Sequence, residues 1–579
     1  MRHLDPALAR QRAVVPEADD RGQRRSPELV AFEEPPKAER AGPVPRTELD
    51  AETHAAPHLG PVEPRKRVRR LGRGWPPDGW IGVEVGEHAG GRYQSEPRAV
   101  AGAGSCFRTI RAMTMAPNDT DLAAYVQAVR GLLAHGGFEL TGSPLQAKRW
   151  DVAHIRAYLD DHDRPDARPT VHVAGSKAKG SVATMIEALL RASLPAVPGA
   201  MGASPQHGAA RTMLYTSPDL HAARERIAID GQPLDASSFA SVASRVLADP
   251  AAEGWSYFEL LTVMAWLAAA ERGCAWQILE VGLGGRLDTT NAVQSKVVAV
   301  ITPIDREHTA ILGETIPEIA REKAGIITGP CDVVIAPQRA SAVDVVREVA
   351  AAAGARVHEV TDDCAIRVTS QSLDRVEFDL RTPLQTYRKL RLELLGEHQA
   401  ENAAAAIRAA ELALATVDIA LDSGAVHEAL ARVRLPGRGE IVRRRPLTIV
   451  DGAHTPLAAR RLRQALDRCG VPRSRVFVLG LLEGKDAASI AHELVGRDDQ
   501  VFVAAPASPR AADPAAVAAA FRETGAVATT ASDVPSAIER ATLTAGDRGA
   551  VIVTGSLRTV SEARESLLAI TGDHALGLR

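Results

Sequence analysis

The feature that most constrains the fold of this chain is a strand–loop–helix pattern between residues 170 and 190. The apolar, β-branched run at 170–174 (TVHVA) leads into a loop of small residues and lysines at 175–181, and an apolar-periodic run follows as far as Leu190. This order predicts a buried strand, a phosphate-binding loop and a helix. Backbone N–H groups at the start of such a helix, together with the positive end of its dipole, suit a polyphosphate.

The side chains of this loop fit the same chemistry, although their spacing is unusual. Lys179 can add a point charge to bound phosphates, and the Ser181 hydroxyl can reach a magnesium ion that the phosphates hold. The usual pattern places Gly directly before the Lys and Ser or Thr directly after it. Here Ala178 precedes Lys179 and Gly180 follows it. A basic turn that caps an ordinary helix therefore stays open as the alternative.

The composition excludes several classes of protein. With 579 residues, 45% of them hydrophobic, the chain is long enough for two or three domains. Its net charge of −3 argues against a nucleic-acid-wrapping surface and favours small-molecule chemistry. The five cysteines are dispersed without metal-type spacing, which indicates reduced thiols in a cytoplasmic protein. No apolar run approaches the ~18 residues that span a bilayer, so we expect no membrane partner.

The first 115 residues differ in composition from the rest. They are dense in Arg, Pro, Glu and Gly and lack helical or strand periodicity, which predicts a disordered N-terminal extension over 1–115. The basic cluster at 65–70 could serve as an address or a polyanion contact, but interspersed acidic residues favour a solvated tail. We expect translation to start at Met113 or Met115, in which case peptides from residues 20–100 would be absent from the native protein.

Two α/β regions follow this extension. From residue 116 to 435, strands alternate with helices, which predicts a P-loop-type, mostly parallel sheet with helices on both faces. Segments 375–381 and 386–394 are predicted as a strand pair attached to the edge of this sheet. A Pro- and Gly-rich stretch at 434–439 predicts a hinge. Beyond it, residues 436–579 predict a smaller, Rossmann-like α/β domain.

Polar side chains follow several predicted strands, at the carboxyl ends where open α/β sheets bind ligands. Glu280 lies in an apolar strand, so it requires a magnesium ion, a base partner or, as the alternative, a buried ion pair with a helix Arg. His308 can be a metal ligand, a base or a helix cap. Lys323 near a helix end and Asp451 before another helix have the simpler interpretations of dipole compatibility and N-capping. The loop at 481–486 is consistent with a simple turn.

In order, these clusters resemble the folylpolyglutamate synthase and dihydrofolate synthase family, within the Mur ligase superfamily. The resemblance runs from about residue 119 to 575, the whole globular part. Its most specific motifs are Glu280–Asp288 (EVGLGGRLD), His308 with Leu312 and Gly313, Arg321–Gly325 (REKAG), Gly396–Gln399 (GEHQ) with Asn402, Pro436–Arg438 (PGR) and Asp451–His454 (DGAH).

The resemblance implies an ATP-dependent amide ligase that adds L-glutamate to dihydropteroate, to reduced folates or to both. ATP first phosphorylates the carboxylate, and the glutamate amine then attacks the acyl phosphate. The resemblance also implies ATP and Mg²⁺ as cofactors, a monovalent cation such as K⁺ as a further one, and a cytoplasmic monomer that binds small molecules rather than nucleic acid. Because ATP would lie between two domains, closure should accompany its binding.

Roles for single residues follow from the same resemblance. Lys179, His308 and Lys323 are the expected catalytic residues, and Lys323 is expected to be carbamylated so that it can hold a second magnesium ion. The expected magnesium ligands are Ser181, Ser217, Glu280, His308 and Lys323. The expected nucleotide contacts are Gly175, Ser176, Lys177, Lys179, Gly180, Ser181, His398, Gln399, Asn402, Arg438, Asp451 and His454.

Four departures from the family pattern bear on this interpretation. Ala178 replaces a Gly, so a positive φ there would be strained. Asp219 stands where His is common, Thr455 stands where Asn is usual, and the connection at 194–210 is longer than expected. Two alternative functions stay open. One is another Mur-type ligase that acts on a different carboxylate, and the other is a nucleotide-binding regulator without turnover.

Overall fold

The computed structural model describes residues 119–141, 151–194, 211–473 and 475–578. The predicted disordered extension, its translation start and most of the 194–210 connection lie outside the described residues. Within the described ranges, no helix is long and apolar enough to cross a bilayer.

An eight-stranded sheet forms the centre of the first region. Its strands are, in chain order, β1 (Thr170–Ala174), β2 (Thr212–Tyr215), β3 (Ile227–Ile229), β4 (Gln232–Pro233), β5 (Trp276–Glu280), β6 (Lys296–Ile301), β7 (Asp332–Ile335) and β8 (Arg356–Glu359). They lie in the order β4-β3-β2-β5-β1-β6-β7-β8. The pairs from β2 to β8 are parallel, and β3 and β4 form an antiparallel edge. Because β1 lies between β5 and β6, the loop after β1 opens between two other strand ends.

Helices cover both faces of this sheet, as predicted. They are α1 (Asp119–Ala134), α2 (Phe138–Thr141), α3 (Ala153–Asp161), α4 (Lys179–Ser193), α5 (Ala236–Ala248), α6 (Tyr257–Glu271), α7 (Thr309–Leu312), α8 (Ile316–Ala324), α9 (Ala340–Ala352), α10 (Val360–Asp363), α11 (His398–Ala415) and α12 (Ser423–Arg432), with 3₁₀ turns at Ala223–Arg226, Pro250–Ala252 and Thr289–Ala292. Alternate strand residues supply the two cores, as the two-residue period of a strand requires. Val171 and Val173 pack with α4 and α11 on one face, whereas Leu279 packs with α1 and α6 on the other.

A separate antiparallel sheet lies, along the chain, between the strands of the eight-stranded sheet and those of the last sheet. It consists of β9 (Ala365–Gln371), β10 (Val376–Arg381) and β11 (Thr386–Leu392), in the order β11-β10-β9. The prediction that segments 375–381 and 386–394 attach to the edge of the main sheet is therefore wrong, since that edge is β8. The reason is that alternate side chains, such as Phe378 and Leu390, form one apolar face, which packs into the core beside α11.

A six-stranded sheet organises the last part of the chain. Its strands are β12 (Glu440–Arg444), β13 (Leu447–Val450), β14 (Arg475–Leu479), β15 (Gln500–Val503), β16 (Val527–Thr530) and β17 (Ala550–Thr554), in the order β12-β13-β17-β14-β15-β16. Its helices are α13 (Pro456–Arg468), α14 (Ala487–Leu494), α15 (Pro514–Arg522), α16 (Val534–Ala545) and α17 (Leu557–Leu568). All pairs are parallel except β12 with β13. The domain boundary at 435 and 436 stays a prediction, which the separation of the two large sheets supports.

Candidate active site

A loop follows the central strand β1 and leads into helix α4, as the sequence predicts, and the helix begins at Lys179, so that the first turn of the helix includes the last residues of the predicted 175–181 loop. At Gly175 the backbone has φ +146° and passes so close to Thr302 that a Cβ would overlap it. Ala178 adopts the left-handed conformation, with φ 65°, directly before the helix. The predicted strain at Ala178 is therefore present, and it amounts to about 1–2 kcal/mol for a non-glycine residue.

The first half of this loop is bound to the protein itself. The backbone N–H groups of Ser176 and Lys177 both donate to the carbonyl of Pro303, at 3.0 Å. The Ser176 hydroxyl donates to the carbonyl of Asp305, at 3.1 Å. The predicted phosphate contacts of the loop backbone therefore concentrate on its second half, where helix α4 begins at Lys179.

Glu280 ends strand β5 and faces the start of helix α4. Its Oε2 accepts a hydrogen bond from the N–H of Ser217 at 3.0 Å, and its carboxylate also accepts from the N–H of Gly180. Burial raises the pKa of Glu280, while nearby Lys179 and Arg438 act to lower it. The unusual Gly180 has a physical reason here, because a Cβ at this position would lie 3.1 Å from the Glu280 carboxylate.

The ion-pair alternative for Glu280 predicted an arginine on a helix. The arginine near Glu280 is Arg438, which belongs to the 434–439 segment between the large sheets rather than to a helix. The carboxylate is thus compensated by backbone amides and by cations of the loop and the hinge. These are the surroundings of a ligand site rather than of a helix-to-sheet salt bridge.

Glu307 is a second buried carboxylate, and sequence reasoning did not select it. Its Oε1 lies 2.8 Å from the Nζ of Lys323, and its Oε2 lies 3.5 Å from the Nζ of Lys177. Burial raises its pKa, but Lys323, Lys179 and Lys177 together hold the pKa well below its usual range. Glu307 is therefore a charged centre for the lysines around the β1 loop. A carboxylate directly before the candidate His308 was the only sequence signal for it.

Lys323 lies near a helix end, as predicted, and also forms a buried ion pair. It is 1% exposed, and its Nζ donates to the carbonyl of Gly175 at 2.8 Å as well as to Glu307. Burial lowers the pKa of Lys323, while Glu307 raises it. As an ammonium in an ion pair, Lys323 cannot hold a cation. Its role as a metal ligand stays a prediction that requires its conversion to a carbamate.

His308 lies beside Glu307 and directly before α7. Its ring makes no capping hydrogen bond to that helix, which removes the helix-cap alternative. The ring of Phe138 meets it edge-on, with 6.0 Å between ring centres. The residue is exposed on one side. Burial of its ring by the surrounding protein lowers the pKa of His308 to about 4, and Lys485 and the other lysines act in the same direction, whereas Glu307 raises the pKa. The imidazole is therefore neutral near pH 7, which is the form that can ligate a metal.

The segment after β13 brings two predicted residues of the second region, Asp451 and His454, to the same place. Asp451 accepts from the N–H of Gly439 at 2.8 Å and from the N–H of Ala453 at 2.9 Å. Helix α13 is instead capped by Thr455, so the N-cap interpretation of Asp451 is wrong. Burial lowers the pKa of His454, with Lys177 and then Lys485 acting in the same direction.

Arg438 and Lys485 complete this cluster of charges. Arg438 lies near Glu280, Asp451 and His454, whose pKa values it shifts. Lys485 was missed, because its loop at 481–486 was interpreted as a simple turn. Burial lowers the pKa of Lys485, and Glu307 raises it, so the lysine of the second sheet faces the carboxylate of the first.

Three predicted nucleotide contacts lie elsewhere, at the start of α11. The Oε1 of Gln399 accepts from the Nδ2 of Asn402 at 2.9 Å, and both residues are buried. Burial lowers the pKa of His398 to about 3, with a further contribution from Arg461 of α13. None of the described contacts joins these three side chains to Lys179 or Glu280, so their role stays a prediction.

Asp219, which departs from the family pattern, forms a buried ion pair within the protein. Its Oδ1 accepts from the Nε of Arg226 at 2.7 Å, and Arg226 also pairs with Glu139 and lies 5.2 Å over the ring of Tyr257. Within the described ranges, no group of three or more His, Cys, Asp and Glu side chains is arranged to hold a metal ion by itself.

Comparison with known proteins identifies the family of this chain. Residues 173–410 match the Mur ligase middle domain, and residues 437–557 match the Mur ligase glutamate ligase domain. The chain is 34% identical over 449 residues to the dihydrofolate synthase/folylpolyglutamate synthase of Mycobacterium tuberculosis, covering 71% of this chain and 89% of that protein. It is 29% identical to the folylpolyglutamate synthase of Lacticaseibacillus casei, covering 73% of this chain and 96% of the relative.

Solved structures agree with this similarity. A Mycobacterium tuberculosis folylpolyglutamate synthase complexed with ADP and AMPPCP matches at 31% identity and a TM-score of 0.66, covering 77% of this chain and 99% of that one. E. coli FolC in complex with DHPP and ADP matches at 27% identity and a TM-score of 0.61, covering 72% and 94%. The chain therefore belongs to the dihydrofolate synthase/folylpolyglutamate synthase family of Mur ligases.

Proposed function

We propose that this protein is an ATP-dependent ligase that joins L-glutamate to dihydropteroate, to reduced folates or to both. The observation that carries the proposal is the convergence of Lys179, Glu280 and Glu307 with Arg438 and Lys485, from both large sheets, at the end of β1. The cations of this cluster can neutralise the negative charge that a triphosphate and two carboxylic acids would bring to one place.

The start of helix α4 is the proposed phosphate site. Its N–H groups and dipole favour an anion, and Lys179 adds a full positive charge at the first helical position. Lys177 lies within reach of the same region but is engaged with Glu307. We assign the β- and γ-phosphates to Lys179 and the amides after it, and we expect the two sheets to close on the nucleotide.

The oxygen atoms around Glu280 fit a magnesium ion. Mg²⁺ in nucleotide sites is held by one or two carboxylates together with phosphate oxygens and water, so a single buried carboxylate suffices. Glu280 and the hydroxyls of Ser181 and Ser217 would hold it, with neutral His308 as a further ligand. When bound, the ion would neutralise phosphate charge. The second magnesium on a carbamylated Lys323, and the monovalent cation, remain expectations.

The reaction needs little covalent chemistry from the protein. The carboxylate of the pterin-linked acid attacks the γ-phosphorus of ATP, the bond to the β-phosphate oxygen breaks, and ADP leaves. The amine of L-glutamate then attacks the acyl carbon, and inorganic phosphate leaves as the amide forms. Charge passes through phosphate oxygens in both steps, so positioning and neutralisation by Lys179 and the helix start are what this chain supplies.

Further expectations accompany the proposal. A monomer, a cytoplasmic location and the absence of nucleic-acid and membrane partners stay predictions. The start of α11, with His398, Gln399 and Asn402, stays the predicted site of further nucleotide contacts.

The proposal is tested by incubating the protein with ATP, Mg²⁺, L-glutamate and either dihydropteroate or a reduced folate. A product heavier by one glutamate residue, read by mass spectrometry, would support it, and the acceptor used would separate the two activities. Phosphate release that needs a different carboxylate would favour another Mur-type ligase. ATP binding without any turnover would favour the regulator.

A further inference from the structure

The described residues after helix α17 return to the first sheet. Ala569 turns the chain with φ 53°, and Asp573 follows at 1% exposure. The Asp573 carboxylate accepts from the hydroxyl of Tyr125, at 2.9 and 3.1 Å, and its Oδ2 also accepts from the N–H of Ala223, at 2.9 Å. Leu578 is buried in the same apolar cluster as Tyr125. We call residues 569–578 the return segment.

The return segment holds the loop at 216–226 together with helix α17. The N–H of Asp573 donates to the carbonyl of His221 at 2.8 Å. The Nδ1 of His221 lies 3.0 Å from the Oε1 of Glu565, and its other ring nitrogen contacts Arg564. Since a guanidinium only donates, that nitrogen accepts, and the proton of a neutral His221 is on Nδ1 and points to Glu565.

Apolar packing ties the same loop to the second sheet. Leu220 packs against the buried cluster that includes Val560 of α17 and Val553 of β17. The loop is closed on itself by the N–H of Thr216, which donates to the carbonyl of Arg226 at 3.0 Å. The loop is therefore a short, closed unit with its outer end bound to the C-terminal sheet region.

The inner end of the loop reaches the candidate active site. The N–H of Ser217 donates to the Oε2 of Glu280 at 3.0 Å. Backbone hydrogen bonds and buried side chains thus connect Asp573 to Glu280 through one loop. A donor placed this way is sensitive to loop position, because a hydrogen bond weakens steeply as its geometry departs from linearity.

We propose that Asp573 is a positioning residue, and that the return segment acts as a strap that fixes the 216–226 loop so that Ser217 keeps its donor on Glu280. The effect on magnesium binding rests on the proposed function, whereas the effect on the loop does not. Loss of the strap frees the loop in the ligand-free protein and weakens magnesium binding, so that turnover requires a higher magnesium concentration.

The test compares Asp573→Ala with Asp573→Asn in the full chain. Hydrogen exchange of the 216–226 amides, read by mass spectrometry without ligands, should be roughly tenfold faster or more in the Ala variant, because the buried acceptor for Tyr125 and Ala223 is lost. The Asn variant should stay close to the parent, since its oxygen can accept from Ala223 and its amide can donate to the Tyr125 oxygen. Asp547→Ala, at an exposed position of the same sheet region, is the control.

A second variant covers the case in which Asp573→Ala does not fold. Tyr125→Phe removes only the hydroxyl and keeps the ring, which packs edge-on against Phe239 at 5.3 Å. It should also speed exchange at 216–226, and its magnesium titration midpoint for turnover should rise by roughly threefold to tenfold.

The outcomes separate the two proposals. Faster exchange confined to 569–578 in both variants, with 216–226 unchanged, would overturn the strap. Faster exchange at 216–226 with an unchanged magnesium midpoint would overturn its connection to Glu280. Absence of glutamate ligation by the parent chain would overturn the proposed function, and the exchange measurement would still decide on the strap.

Discussion

Two buried carboxylates flank the β1 loop, and they are compensated in opposite ways. Glu280, at the end of β5, accepts hydrogen bonds from the backbone N–H groups of Ser217 and Gly180, and burial raises its pKa. Glu307, after β6, forms ion pairs with Lys323 and Lys177. The nearby lysines outweigh the rise in pKa that burial causes, so the pKa of Glu307 lies well below its usual range. A carboxylate that accepts hydrogen bonds from amides keeps its negative charge available to a cation. A carboxylate that two lysines neutralise has little negative charge available for a cation. We therefore assign ligand binding to the Glu280 side and the ordering of the lysines to the Glu307 side.

Lys179 acts on both sides, so its removal should have the largest effect. In Lys179→Ala we expect kcat to fall by at least about a thousandfold, because a positioned charge on the transferred phosphoryl group is lost. The partly exposed side chain should leave the fold intact, which an unchanged circular dichroism spectrum and melting temperature would show. Unchanged turnover would mean that the loop is misassigned.

The Glu307 side is tested by Glu307→Gln. Removal of its charge leaves Lys323 buried without its partner, and we expect the free energy of unfolding in urea to fall by about 3–5 kcal/mol. Glu348→Gln, which breaks the exposed pair with Arg321, is the matched control and should change stability little. Equal small losses in both variants would remove the distinction between the two carboxylates.

The Glu280 side is tested by Glu280→Gln. The amide oxygen can still accept from Ser217, so stability should change less than in Glu307→Gln. The magnesium titration midpoint of turnover should rise by roughly 10- to 100-fold, because the carboxylate that the protein contributes to the proposed site is lost. A midpoint that does not move would make Glu280 a structural residue.

The smallest expected effect is a difference in pH dependence. The pKa of Glu307 is lowered by folding, so its contribution to stability is present above about pH 4.3, the unfolded value, and is lost as the pH falls through the folded pKa. The pKa of Glu280 is raised, so its contribution is present below about pH 4.3 and is lost as the pH rises through the folded pKa. Urea unfolding at several pH values should therefore show slopes that Glu307→Gln and Glu280→Gln change in opposite directions. Slopes that change in the same direction would contradict the comparison.

Much of the site is predictable because parallel strands bring their carboxyl ends together. Glu280 ends β5 and His308 follows β6, and these two strands flank β1 in the sheet, so the approach of both residues to Lys179 follows from the strand order. Lys323 was also identified, but its buried ion pair was not. The sequence indicates that a positive φ would be strained at Ala178, and the structure has φ 65° there.

Pairings between distant segments were beyond sequence reasoning. Glu307 and Lys485 are separated by 178 positions, and nothing local marks them as neighbours. The alternation in 375–394 indicates strands but not their partner, which turned out to be β9 rather than the main sheet. Strands β12 and β16 are not marked by an apolar run in the sequence, because both lie at sheet edges and carry partly exposed or polar residues.

The hydrogen bonds of Asp451 have a consequence for how the two large sheets can move. The Asp451 carboxylate accepts from the N–H of Gly439 before β12 and from the N–H of Ala453 after β13. The turn at 437–439 and the start of the second sheet are therefore expected to move together as one rigid body. On this connection, a pivot that opens or closes the cleft must then lie upstream of Gly437, in the residues that follow α12. A probe pair placed across residues 437 and 453 would keep a constant separation through the catalytic cycle.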